Sequence, residues 1–114
     1  MPALTDSTIL AQIQGVLANW NFTGYVTAKD LVLEWISNEL TGHTLKDVAK
    51  AMNDHVQSGS IIVQVLETRK EWSAWPFHYD FRLQIGRRRV FIETILQDDD
   101  PKDPTIHIVS IHDA

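Results

Sequence analysis

Polar and apolar residues alternate along residues 78–85. The apolar positions of this run are Tyr79, Phe81, Leu83 and Ile85. Because successive side chains of a β-strand point to opposite faces, the alternation predicts a half-buried strand. Gly86 and Arg87 are a predicted two-residue turn into a second strand, so the segment predicts a β-hairpin.

The position of the turn determines which residues face each other across this hairpin. One predicted face is largely apolar and consists of the pairs Leu83–Val90, Phe81–Ile92 and Tyr79–Thr94. The opposite face carries the pairs Gln84–Arg89, Arg82–Phe91 and Asp80–Glu93. An arginine and two carboxylates therefore share one face, which makes it the best candidate for a functional surface.

Apolar residues in the first half of the chain recur at the three- and four-residue spacing of helices. They predict three helices, with apolar stripes over 9–20, 31–40 and 45–56. Capping residues precede the stripes: Thr5, Asp6 and Ser7, then Thr27 with Asp30, then Thr44 with Asp47. Residues 19–24 are a predicted turn, and Gly42 and Gly59 are predicted to end the second and third helices.

The residue pattern in the second half of the chain is typical of short strands. Strands are predicted over 60–67, 78–85, 88–97 and 105–112, with an aromatic loop at 72–77 and an acidic loop at 98–104. The chain is expected to be one domain over residues 1–114, helical over 1–58 and a sheet over 59–114. The predicted fold class is α+β, with three N-terminal helices packed on a four-stranded antiparallel sheet.

Composition excludes several kinds of site. The 114 residues include no cysteine, so disulfide scaffolds, thiolate metal sites and cysteine nucleophiles are excluded. No apolar run reaches the roughly 20 residues that span a membrane, and no secretory signal is evident. A cytoplasmic protein without a membrane partner is therefore expected.

The net charge of −5 disfavours non-specific nucleic-acid binding, although Arg87–Arg89 form a local basic run.

Three segments together resemble a known superfamily. They are Gly59-Ser-Ile-Ile after the last helix, Tyr79-Asp-Phe-Arg-Leu in the central strand, and the final strand from Ile106 to His112. This layout resembles the barnase–colicin–RelE ribonuclease-toxin superfamily, including the RelE/ParE toxins, over about residues 27–112. The resemblance implies a RelE-like, metal-independent ribonuclease or a degenerate relative, with RNA or an antitoxin-like protein as partner. That superfamily has no invariant catalytic set, so no catalytic role transfers.

The polar hairpin face offers the groups that RNA cleavage needs. A base must take the 2′-hydroxyl proton, an acid must protonate the leaving oxygen, and a cation must hold the phosphate. Glu93 and His78 are the candidate base and acid, and Arg82 is the candidate phosphate ligand. Candidate substrate-binding residues are Arg88, Arg89, Trp72 and Trp75. The competing interpretation is a solvated sheet face with cross-strand ion pairs.

The histidines do not predict a metal site. None of them shows a two-histidine ligand spacing within one element, and His107 and His112, five residues apart, are expected on opposite faces of a strand. The acidic loop lacks the calcium-loop spacing. No metal and no cofactor are therefore expected.

Two further functions stay open beside the ribonuclease, so enzyme status is undecided. The first is a non-enzymatic binding or regulatory module that holds a partner protein, or a second copy of itself, through the sheet face or the 72–77 loop. The second is a winged-helix DNA-binding protein whose third helix presents Lys46, Lys50, Asn53 and Gln57.

Overall fold

A computed structural model describes residues 3–18, 25–98 and 105–114. Within these ranges the chain forms three α-helices and one five-stranded sheet. In chain order the elements are α1 Ser7–Ala18, β1 Tyr25–Ala28, α2 Asp30–Glu39, α3 Leu45–Gln57, β2 Val63–Leu66, β3 Phe77–Ile85, β4 Arg88–Asp98 and β5 Thr105–Asp113. A single 3₁₀ turn, Lys70–Trp72, lies between β2 and β3. The predicted turn at 19–24, Trp20 and most of the acidic loop lie outside the described residues.

The predicted four-stranded antiparallel sheet is wrong. The sheet has the order β1-β5-β4-β3-β2, and β1 pairs with β5 in parallel. Strand β1 lies between α1 and α2, so the helices are interleaved with a strand instead of preceding the sheet. Only four residues form β1, too few for a clear alternation, and its partner lies about 80 positions away in the chain. The other three strand pairs are antiparallel, as predicted.

The predicted capping box at Thr27 is also wrong. Thr27 belongs to β1, and its Oγ1 lies 2.7 Å from Nδ1 of His107 on β5. Helix α2 instead has Lys29 as its N-cap, without a side-chain hydrogen bond. Pairing with β5 therefore uses the hydroxyl that the capping box would need.

The other two caps are confirmed. The Asp6 carboxylate accepts hydrogen bonds from the backbone amides of Thr8 and Ile9 at the start of α1. Thr44 and Asp47 form a full capping box at the start of α3. Each bond satisfies a backbone amide that has no partner inside the helix.

The predicted register of the hairpin is confirmed at every pair. Tyr79 lies opposite Thr94 and Asp80 lies opposite Glu93. The other pairs of the hairpin have the same register. Gly86 has a φ of 62°, the left-handed conformation that a tight hairpin turn requires.

The helices cover one face of the sheet. Helix α3 packs on α1 and β3, and α2 packs on β5. The largest fully buried side chains of the fold include Phe81, Ile13, Met52, Ile92, Ile106 and Ile108. We call the opposite face, which carries Arg82 and Glu93, the outer face. None of the described helices is long and apolar enough to cross a membrane.

A bulge in β5 reverses the predicted placement of two histidines. Glu93 pairs with Ser110 but Thr94 pairs with Ile108, so Val109 is an extra residue in β5. The extra residue shifts the alternation by one. His107 and His112 consequently lie on the same, outer face, and the prediction that they lie on opposite faces is wrong.

Candidate functional site

Three titratable residues of β3 and β4 meet on the outer face. His78 and Asp80 lie two positions apart on β3, and Glu93 lies directly opposite Asp80 on β4. The distance from His78 Nδ1 to Asp80 Oδ1 is 2.8 Å, and that from His78 Nδ1 to Glu93 Oε1 is 3.9 Å. We call these three residues the outer-face cluster. The structure thus brings together the predicted acid and base, His78 and Glu93.

Water has little access to this cluster. The exposed fraction of the side chain is 3% for Asp80, 12% for His78 and 13% for Glu93. Burial raises the pKa of Asp80, the hydrogen bond and charge of His78 lower it, and the nearby Glu93 raises it further. The ionised form of the Asp80 side chain therefore carries a desolvation cost.

An ion pair with almost no signal in the sequence supports the cluster. Arg69 donates from Nε and Nη2 to the two carboxylate oxygens of Glu67, at 2.8 and 2.9 Å, and its Nη2 also pairs with Glu93 Oε2. The hydrogen bonds from Arg69 lower the pKa of Glu67 to about 2, and those from Glu67 raise the pKa of Arg69. The only sequence signal was the two-residue spacing of Glu67 and Arg69, and nothing in it pointed to Glu93.

Arg82, the predicted phosphate ligand, lies beside the cluster and not in it. Successive residues on one face of a strand are about 7 Å apart, and Arg82 is one such step beyond Asp80. Its guanidinium lies 4.9 Å from the centre of the Phe91 ring, and that ring stacks on His112 at 4.8 Å. Arg82 is exposed.

Arg88 lies on the helix side of the sheet. It pairs with Asp113 at 2.7 Å, donates to the backbone carbonyl of Glu39 at 2.7 Å, and lies over the Trp35 ring at 5.1 Å. Hydrogen bonds to Asp113 raise the pKa of Arg88 and lower that of Asp113. This residue therefore joins the end of α2 to the end of β5.

Trp72 and Trp75 lie at the other end of the outer face from the hairpin turn. Trp75 donates from its indole nitrogen to the backbone carbonyl of Gln97, and Trp72 lies 6.0 Å from the His107 ring. Both indoles are half-buried. The segment 67–76 thus crosses the outer face, which explains why Ile95 is fully buried there.

An open cleft lies at the edge of the sheet, between α3 and the hairpin. Its volume is about 760 Å³. The lining includes Asp54, His55 and Ser58 of α3 and Arg82, Gln84 and Arg89 of the hairpin. The structure therefore places Arg82 and Arg89 at one surface, away from Arg88 and the two tryptophans.

The edge of β3 is open along this cleft. Strand β2 pairs only with residues Phe77–Asp80, whereas β3 continues to Ile85. The Glu67 amide donates to the Pro76 carbonyl across the β2–β3 pair. Because antiparallel pairs alternate, every second residue of β3 after Pro76 turns its backbone groups to this side. The backbone amide and carbonyl groups of Arg82 and Gln84 therefore point away from β4 into the cleft. No described residue forms a hydrogen bond with these groups.

The exposed side of α3 is electrically mixed. Lys46 and Lys50 alternate with Asp47 and Asp54, and all four are exposed. A DNA-contacting helix normally presents a basic surface to the phosphates. The described surface of α3 thus gives the winged-helix hypothesis no support.

Comparison with protein-family models, with curated proteins and with solved structures gives no match to this chain. The resemblance to the ribonuclease-toxin fold stays a prediction.

Proposed function

We propose that this protein is a binding module that takes an extended, acidic peptide segment of a partner protein at the open edge of β3. One observation carries the proposal: β3 runs five residues beyond β2 along an open cleft. An unpaired sheet edge is a template for a further strand.

The main chain supports strand addition at this edge. The amide and carbonyl groups of Arg82 and Gln84 face the cleft, as the alternation of the β2–β3 ladder requires. Two residues in this orientation offer up to four main-chain hydrogen bonds to an incoming strand. These bonds give affinity without sequence preference, so the side chains must supply the specificity.

Charge supports an acidic peptide. Neither Arg82 nor Arg89 forms an ion pair with any residue in the described part of the chain. Arginine binds carboxylates with two parallel hydrogen bonds, and such charge-assisted bonds are among the strongest. The cleft lining carries these two arginines and one carboxylate, Asp54, so it is locally positive on a chain whose net charge is −5 and attracts an acidic peptide there.

The walls of the cleft favour an alternating ligand. Arg82 and Arg89 lie toward the outer face, whereas Ala51 and Ile61 line the cleft, and Ile61 is 66% exposed. The side chains of an added strand alternate between these two directions. We therefore expect carboxylates at every second position of the ligand and small apolar residues between them.

Fluorescence anisotropy with a labelled peptide of alternating Glu and Val tests the proposal. We expect saturable binding by the wild type and a loss of about tenfold or more in the double variant Arg82→Ala/Arg89→Ala. Arg87→Ala is the matched control, because Arg87 is an exposed arginine of the turn and does not line the cleft; its affinity should stay unchanged.

Three results would contradict the proposal. The first is that the peptide shows no saturable binding. The second is that a peptide of the same composition, with its charges clustered, binds with the same affinity. The third is that the double variant and the Arg87→Ala control lose the same amount of affinity. A dimer in solution that closes this edge would also contradict it, because a second copy would then occupy the site. Sedimentation of the peptide-free protein decides that point.

A second candidate function is RNA cleavage, favoured by the 3.9 Å separation of His78 Nδ1 from Glu93 Oε1 beside Arg82. Purified protein is incubated with total RNA, and His78→Gln is compared with the wild type. Cleavage by the wild type alone would support this function, and intact RNA with soluble wild type would exclude it.

A further inference from the structure

The geometry points to a site for one divalent transition-metal ion at the outer-face cluster, held by His78 Nδ1, Asp80 Oδ1 and Glu93 Oε1. This site lies on the face of the sheet and is distinct from the peptide cleft at its edge. The inference does not depend on the peptide-binding proposal, because a different set of residues carries it.

The three ligand atoms are close enough for one ion. One ligand atom from each residue lies within 4.8 Å of the other two, and His78 Nδ1 is 2.8 Å from Asp80 Oδ1 and 3.9 Å from Glu93 Oε1. Metal–ligand bonds of about 2.1 Å place neighbouring ligands roughly 3 to 3.5 Å apart. Small side-chain rotations would therefore close the set around an ion without moving the strands.

The charge of the cluster also favours a cation. Asp80 and Glu93 are directly opposite on neighbouring strands, where like charges repel. Within the described residues, Asp80 is hydrogen-bonded through its side chain only to His78. Arg69 is the only guanidinium described in contact with the buried carboxylates, and it is shared between Glu67 and Glu93. The carboxylates of Glu67, Asp80 and Glu93 thus outnumber the one guanidinium that contacts them, and a divalent ion would balance the excess negative charge.

The surrounding residues already orient the ligands. Arg69 holds Oε2 of Glu93, which leaves Oε1 directed toward His78. Support of this kind, a charged group that fixes the second oxygen of a ligating carboxylate, is usual around protein metal sites. The β5 bulge at Val109 lies beside Glu93, and bulges commonly adjust the direction of functional side chains.

The ligand set selects the kind of ion. One imidazole and two carboxylates suit Zn²⁺, Mn²⁺, Fe²⁺ or Co²⁺. Mg²⁺ and Ca²⁺ prefer sites made of oxygen atoms only. Three protein ligands would leave further coordination positions open.

Isothermal titration of the chelator-treated 114-residue chain with ZnCl₂ and with MnCl₂, in the absence of peptide and RNA, tests the inference. We expect one ion per chain in the wild type. Asp80→Asn and Glu93→Gln should each weaken binding by about tenfold or more. Glu71→Gln is the matched control, because Glu71 is an exposed carboxylate of the segment that covers the cluster; its affinity should stay unchanged.

A second measurement does not depend on how the variants fold. In wild-type protein, Zn²⁺ should shift the NMR signals of the His78 ring and leave those of the exposed His112 ring in place. No saturable binding, unchanged binding in both carboxylate variants, or an unmoved His78 ring would each overturn the inference. Binding that survives in both variants would put the ion elsewhere, for example on the acidic residues 98–103.

Discussion

Arg69 reaches across the outer face of the sheet to Glu93 on β4, although the two residues are 24 positions apart. The same guanidinium forms a two-point ion pair with Glu67, whose side chain is only 1% exposed. One arginine thus fixes the segment between β2 and β3 onto the sheet, and its single positive charge is shared between two carboxylates.

This ion pair predicts an acid-dependent loss of stability. The folded-state pKa of Glu67 is lowered from 4.5 to about 2, so its contribution is complete above 4.5 and is lost as the pH falls toward 2. Glu67→Gln should therefore be less stable than the wild type at neutral pH, by at most about 3 kcal/mol. The difference should shrink on acidification, as urea unfolding at about pH 6 and about pH 3 measures.

Glu71→Gln is the control for that experiment, since Glu71 is an exposed carboxylate of the same segment. The free energy of unfolding of Glu71→Gln should differ little from that of the wild type, and this difference should be nearly constant with pH. A Glu67→Gln difference that stays constant or grows on acidification would contradict the assigned ion pair.

His107 should titrate below its ordinary range. Burial lowers its pKa from 6.5, and the nearby charge of Lys29 lowers it further. Protonation of His107 therefore opposes folding, and its effect on stability appears as the pH falls below 6.5. An NMR titration should give a midpoint below 6.5 in the wild type, and Lys29→Met should raise it part of the way back.

Lys50→Met, on the exposed side of α3, is the control and should leave the midpoint of His107 unchanged. A wild-type midpoint at or above 6.5, or equal midpoints in the wild type and Lys29→Met, would contradict the placement of His107 beside Lys29.

Two glycines should respond oppositely to alanine. Apart from the adjoining backbone, a Cβ at Gly86 or at Gly15 would meet no atom of the described residues within 4 Å, so contacts with those residues do not distinguish the two positions. Gly86 has a φ of 62°, and Gly86→Ala should lower the free energy of unfolding by roughly 1 to 2 kcal/mol. Gly15 lies inside α1, and Gly15→Ala should raise it by about 0.5 to 1 kcal/mol. Urea unfolding measures both, and effects of the same sign would contradict this account.

The hairpin could be predicted from the sequence because its information is local. Alternation fixes the faces of β3 and β4, and Gly86 fixes the turn, so the register follows without knowledge of the rest of the chain. The caps at Asp6 and Thr44 are local signals of the same kind. In contrast, β1 pairs with a strand far along the chain, and a segment of four residues carries too little pattern to reveal this.

Only the part of the candidate site that depends on local pattern was predictable from the sequence. Asp80 and Glu93 follow from the register, and His78 follows from its position on the same face of β3. Arg69 approaches from an irregular segment with no periodicity, so its contact with Glu93 has no sequence signature. The bulge at Val109 has no sequence signature either. This bulge places His107 on the outer face, where Trp72 also lies.

Amide hydrogen exchange along β3 is the sharpest test of peptide addition at this edge of the sheet. In the free protein the amides of Phe81 and Leu83, which face β4, should exchange slowly, and those of Arg82 and Gln84 should exchange fast. A saturating concentration of the alternating Glu/Val peptide should slow Arg82 and Gln84 by about tenfold or more and leave Phe81 and Leu83 unchanged. Arg82 and Gln84 amides that are already protected without peptide, or that stay fast when it is bound, would contradict the account.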